Sequence, residues 1–193
     1  MEAALGCRVA PDPVPARGWD GVWLDDKQGL FVRTADTPSG VRLHYSVSPS
    51  LATPVGDNSA KALGLALQNK GDRLAMDRAI DNLHVDARRL TPLAWADGAE
   101  IAGRYHCDEL DAWLTIEARD GAAYAGFDGM LGTGPMERMY PLAQDVWSIT
   151  TRRAMDAAPP GEWTVIVRRD LTGEIQGLAI GCWLARNLDY QRM

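Results

Sequence analysis

At 193 residues, with 46% hydrophobic and 24% charged residues, the chain has an ordinary globular composition, long enough for one large domain or two small ones. Its net charge of -6, from 26 acidic against 20 basic residues, would repel a phosphate backbone, so no nucleic-acid partner is expected. Cys7, Cys107 and Cys182 are widely spaced and form no Cys-x-x-Cys, which speaks against a disulfide framework or a zinc site and fits a reducing compartment, so a cytoplasmic location is expected.

The opening Met-Glu-Ala-Ala-Leu-Gly-Cys ends like a lipoprotein cleavage site at Cys7, but it lacks the basic and apolar regions that a signal needs. The longest apolar run, Gly177 to Ala185, is too short to span a bilayer, and a soluble chain with no membrane partner is expected. Pro11, Pro13 and Pro15 on alternate positions fix an extended segment, so residues 1–18 read as a Pro-rich linker or tail. From Asp20 onward turn residues come every eight to twelve positions, at Lys27-Gln-Gly29, Thr37-Pro-Ser-Gly40, Ser48-Pro-Ser50, Gly56-Asp-Asn58 and Asn69-Lys-Gly-Asp72. Short runs rich in Val, Leu and aromatics lie between them, which is the rhythm of a sheet. Ala60 to Gln68 has helical propensity but is bounded by turns, and it reads as one strand.

The chain then repeats itself. At an offset of 82 residues Gly103 falls on Gly21, Tyr105 on Trp23, Asp108 on Asp26, Trp113 on Phe31 and Phe127 on Tyr45, the trace of a duplicated unit. A second echo sets Val85 to Leu90 against Trp183 to Leu188, 98 residues on, so the second copy is expected to carry about 16 extra residues in a loop. With the seam at Ala94 to Glu100, the expected domains are 19–98 and 99–193. In the second, Ala112, Leu114, Ile116 and Ala118 alternate with Asp111, Thr115 and Glu117, a strand with one buried face, while Trp113 joins the polar side. Arg119-Asp-Gly121 and Asp170-Leu-Thr-Gly173 read as turns. The fold is all-β: two antiparallel meanders each closed on itself, or two open sandwiches.

Chemistry is scarce. Leu24, Asn58 and Leu67 stand three residues before Lys27, Lys61 and Lys70, so no Ser-x-x-Lys exists in which an amine could take a serine proton. His44, His84 and His106 have no partner at metal or triad spacing. His106-Cys107-Asp108 is the densest cluster, and strand alternation is expected to keep it from converging. Gly129-Met-Leu-Gly-Thr-Gly134 has phosphate-loop glycines but is followed by Pro135 rather than a helix, and reads as a wide turn. The acidic pairs Asp25-Asp26 and Asp108-Glu109 read as solvated surface, and Arg88-Arg89, Arg152-Arg153 and Arg168-Arg169 as strand ends. No cofactor, no metal and no catalytic residue is assigned. One long loop stands out between Trp147 and Trp163, where Arg152, Arg153, Met155, Asp156, Pro159, Pro160 and Gly161 form the candidate interaction site, stiffened by its prolines.

Taken together, Gly21-Val-Trp-Leu-Asp-Asp, Gly103-Arg-Tyr-His-Cys-Asp-Glu-Leu, Gly129-Met-Leu-Gly-Thr-Gly, Met139-Tyr-Pro, Asp145-Val-Trp, Met155-Asp-Ala, Pro160-Gly-Glu-Trp163 and Gly181-Cys-Trp-Leu-Ala-Arg186 resemble the middle and C-terminal domains of bacterial D-aminopeptidase, a penicillin-recognising serine peptidase. The resemblance covers residues 18–193. It implies two eight-stranded, lipocalin-like barrels that follow a catalytic domain, whose serine, lysine and tyrosine have no match here. It also implies that a loop of the last barrel reaches the active site, and residues 152–161 resemble that loop. The expected function is a non-catalytic accessory pair, gating access to a serine hydrolase domain or chain. The alternative is a stand-alone barrel protein holding a small ligand, for which Ala122, Ala123, Ala125 and Gly126 would leave room.

Overall fold

Strand alternation governs the computed structural model, which describes residues 14–130, 132–150 and 161–193. Eight strands come first: β1 (Gly21–Asp25), β2 (Leu30–Thr37), β3 (Gly40–His44), β4 (Ser50–Gly56), β5 (Ser59–Ala62), β6 (Leu65–Asn69), β7 (Arg73–Arg78) and β8 (Leu83–Arg89). Each runs antiparallel to the next, and β8 returns to β1 with Arg89 opposite Trp23 and Arg88 opposite Leu24, closing a barrel. The second set is β9 (Gly103–Cys107), β10 (Ala112–Arg119), β11 (Ala122–Gly129), β12 (Gly132–Thr133), β13 (Glu137–Ala143), β14 (Val146–Thr150), β15 (Glu162–Arg169), β16 (Ile175–Gly181) and β17 (Leu188–Arg192). Here β17 returns to β9, with Arg192 opposite Tyr105, and β10 pairs with β11, while two-residue β12 only extends β11. The fold is therefore all-β with two closed eight-stranded antiparallel barrels, and closure pairs the strand edges of both rings among the described residues.

The inward positions explain each core. Trp23, Val32, Leu43, Leu74, Met76 and Ala87 fill the first barrel, and Tyr105, Leu114, Ile116, Ile149, Val165 and Tyr190 the second. Fully burying a side chain of this size contributes about 1.5–3 kcal/mol. Each core also takes in a residue from just ahead of its first strand. Trp19, two residues before β1, is buried in the first core, and its carbonyl accepts the Thr34 hydroxyl. Ile101, 82 positions later, is buried in the second, and its carbonyl accepts the Tyr105 hydroxyl at 2.8 Å. Ile101 ends a short helix, α1 (Gly98–Ile101), whose first free N–H groups are met by Asp97, which accepts from the Ala99 N–H at 2.9 Å.

Three strand starts, at Gly21, Leu30 and Gly40, lie 82 residues before those at Gly103, Ala112 and Ala122. The second echo does not hold. Arg192 stands to Tyr105 as Arg89 does to Trp23, each guanidinium over the facing ring at 5.9 and 4.3 Å, which makes the closing offset 103 residues rather than 98. Trp183 to Asn187 precede β17 instead of lying within it. Ala60 to Gln68 is likewise not one strand but a hairpin, β5 and β6 turning at Leu63-Gly64. Gly64 has φ +68°, and Leu63 is fully exposed where a turn polar residue would have marked the reversal. The turn at Arg119-Asp-Gly121 forms as expected, with φ of 51° at Asp120 and 76° at Gly121, the double positive φ that suits a tight hairpin.

Candidate functional site

The outer faces of β1 and β2 present Leu24 and Phe31 where alternation would put polar residues, and those of β14 and β15 present Val146 and Ile166. They meet, with Leu90, Leu142 and Ala143, in a third buried cluster that is the seam between the barrels. The seam is hydrogen-bonded as well as apolar. The Phe31 N–H donates to the Thr164 hydroxyl at 3.1 Å, both residues being buried, and the Asn187 amide donates to the Lys27 carbonyl at 2.6 Å. Backbones touch at Gly29 and Gly181, since a Cβ on Gly181 would lie 2.5 Å from the Gly29 carbonyl oxygen. Trp183, between β16 and β17, packs against the first barrel's core.

Of the residues expected to form the interaction loop, Arg152, Arg153, Met155, Asp156, Pro159 and Pro160 lie outside the described residues. Gly161 is described, and it stands at the seam. Its φ is +104°, and a Cβ there would lie 2.8 Å from the Ser46 carbonyl carbon and oxygen, so glycine is required by conformation and by space. The next residue, Glu162, receives the Arg33 guanidinium, with His44 Nδ1 at 3.7 Å from the same carboxylate oxygen. Arg33 in turn rests over the Phe31 ring at 4.7 Å. The start of β15 is thus fastened to β2 and β3 of the other barrel. Neither Arg33 nor Glu162 was legible as a site residue, because they are 129 positions apart and each alone reads as a surface charge.

The remaining candidates resolve into structural roles. His106 and Asp108, two apart on β9 and its turn, share the outer face and meet at 2.9 Å, while Cys107 points into the core, so the three do not converge, as strand alternation requires. His106 also lies against Trp113, whose other neighbour is Arg104 at 4.4 Å, and this covers the outward aromatic. Asp25 is buried rather than solvated: it accepts from the N–H groups of Lys27, Gln28 and Asp86 and closes the turn after β1. Asp26 pairs with Arg88. Arg168 and Arg169 end β15 far from its root. Arg168 pairs with Asp189, and Arg169 is held charged, its pKa raised, by Asp145 and Glu100. Gly129 and Gly132 face each other in a turn, with the Gly134 N–H on the Phe127 carbonyl.

The alternative of a ligand-holding barrel puts room at Ala122, Ala123, Ala125 and Gly126. Ala123 and Ala125 are instead packed into the core, and the space above Gly126 is taken by the Met136 sulfur, 2.7 Å from where a Cβ would stand. Among the described residues no group of three or more His, Cys, Asp or Glu is arranged to hold a metal ion, and no helix is long and apolar enough to cross a membrane.

A family model described as D-aminopeptidase, domain B, matches residues 13–191. The chain is 49% identical over 193 residues to a D-aminopeptidase of Cereibacter sphaeroides, covering 100% of this chain and 37% of the relative. It is 40% identical over 176 residues to a D-aminopeptidase of Brucella anthropi, covering 91% and 33%, and 39% identical over 197 residues to one of Brucella ovis, covering 100% and 37%. The chain therefore spans about a third of the length of the curated relatives it matches. Because the match takes in both barrels and every strand that builds the seam between them, the chain belongs to the D-aminopeptidase family, in the part of it described as domain B.

Proposed function

We propose that the two barrels are a non-catalytic accessory unit of a D-aminopeptidase-type serine hydrolase, and that they act by presenting residues 152–161 to the active site of a catalytic domain in the same protein. The observation that carries this reading is the fastening of Gly161 and Glu162 to Ser46, Arg33 and His44 of the other barrel. A surface loop with no task needs no such double anchorage; a loop that must reach a fixed point in another domain does. Residues 1–18 are then the linker between catalytic and accessory parts, and the two units are those of residues 19–98 and 99–193. The buried thiol of Cys107, which forms no disulfide, is compatible with a cytoplasmic setting. The small-ligand alternative draws no support from Ala123, Ala125 and Gly126, whose side-chain space in the second barrel is occupied.

The test is removal of residues 152–160 from the protein joined to its catalytic domain, followed by hydrolysis of D-alanyl amides and D-alanyl peptides of increasing length. The expected outcome is a changed ratio of kcat/KM between short and long substrates, with the catalytic serine still acylated. An unchanged ratio across all lengths overturns the gating role.

A further inference from the structure

Beside the seam, the outer face of the first three strands carries a groove of about 590 Å³, within the range of about 300–1,000 Å³ usual for ligand sites. Ala35, opposite Arg42 on the outward register, is a small residue among its lining. Val22, Pro49 and Pro92 supply rigid apolar walls; Arg33, Arg42 and His44 supply the polar side. Arg33 and His44 are directly opposite each other across β2 and β3, as are Ala35 and Arg42. Arg42 and His44, two residues apart on one strand, lie on one face about 7 Å from each other. Arg33 has Glu162 as its partner, whereas exposed Arg42 has no ion pair and no side-chain hydrogen bond among the described residues.

We propose that this groove receives an extended, acidic peptide segment of the attached catalytic domain, a carboxylate of that segment binding Arg42 beside Arg33. The proposal rests on the accessory reading above. Three observations support it. A chain carrying a net charge of -6 would repel an acidic segment over most of its surface, so a free guanidinium in a groove sets where such a segment can settle. The groove also lies between two fixed points. At one end the entering chain is tied down, with the Ala16 N–H on the Thr37 carbonyl and the Gly18 and Trp19 N–H groups on the Asp36 carboxylate. At the other, His44 and Arg33 meet Glu162 at the start of β15. A domain tethered before residue 14 would meet the groove at an effective concentration on the order of millimolar, so a weak site is enough. Finally, β1, β2 and β3 are each paired on both sides, so a segment cannot add as a strand and is read through side chains.

The chemistry is tested on this chain by itself, so that its failure is separate from failure of the gating role. The isotope-labelled chain is titrated with acetyl-Ala-Glu-Ala-amide, acetyl-Ala-Gln-Ala-amide and acetyl-trialanine with a free C-terminus, and chemical shifts are followed. The glutamate peptide should move the signals of Arg33, Arg42 and His44 and bind about five-fold more tightly than the glutamine peptide. Arg42→Gln should remove that difference while leaving the unfolding midpoint unchanged. Equal binding of the two amides, shifts confined to other residues, or an unaltered affinity in Arg42→Gln overturns the proposal. Tighter binding of the free-carboxylate peptide would also overturn it, since the groove would then take chain ends rather than an internal acidic segment.

Discussion

Single residues at the seam carry costs out of proportion to their size. Thr164 is fully buried and its hydroxyl is the partner of the Phe31 N–H, so Thr164→Val leaves a buried donor unpaired. A loss of about 1–3 kcal/mol is expected in denaturant unfolding, with Thr164→Ser, which keeps the hydroxyl, losing less. Burial also works on ionisation. The Tyr190 phenol is pushed up to about 12, chiefly by desolvation and secondarily by nearby Cys107, and the Tyr105 phenol is raised by desolvation. In the unfolded chain a tyrosine ionises near 10, so the folded state holds its proton more tightly. This contribution is complete below about pH 10 and is lost as pH rises toward 12, because the unfolded chain ionises first. Alkaline unfolding should therefore set in above about pH 10, with the ultraviolet phenolate band of Tyr190 appearing together with loss of the barrel's circular dichroism.

At the scale of elements, the loop and the ladder that bears it are separable. Strands β14 and β15 pair from Val146 opposite Ile166 to Thr150 opposite Glu162, and that ladder does not depend on what joins its ends. Exchanging residues 151–160 for a two-residue turn, with Gly161 kept, should stabilise the chain by about 1 kcal/mol through the shorter loop closure, measured by denaturant midpoint. Destabilisation would mean that the loop contributes packing of its own. Strands and turns were largely legible, since period-two alternation and glycine or aspartate turns are local signals, as at Ala112 to Gly121. The β5–β6 reversal was not, because the alternation Ala-Lys-Ala-Leu-Gly-Leu-Ala-Leu runs straight through an exposed Leu63. The anchorage of the loop could not be read either: Gly161 was marked by its prolines and its place in a long loop, but Arg33, His44 and Ser46 enter only when one barrel is laid against the other.

Over the whole molecule, the seam converts two barrels into one cooperative body. Its apolar cluster, the Phe31–Thr164 hydrogen bond and the Gly29–Gly181 contact should make unfolding a single transition. Gly181→Leu, which forces a side chain against the Gly29 carbonyl, should split it into two, resolved by calorimetry or by following the tryptophans against the far-ultraviolet signal. The way each ring closes has a further consequence in time. The first barrel is complete once Arg88 and Arg89 can reach Leu24 and Trp23, but the second waits for Gln191 and Arg192 to reach His106 and Tyr105. During synthesis the first ring can close and bury its tryptophans while the second is still an open ribbon on the ribosome. Truncation within the last few residues would then strand the nascent chain with a finished half and a sticky, unpaired one.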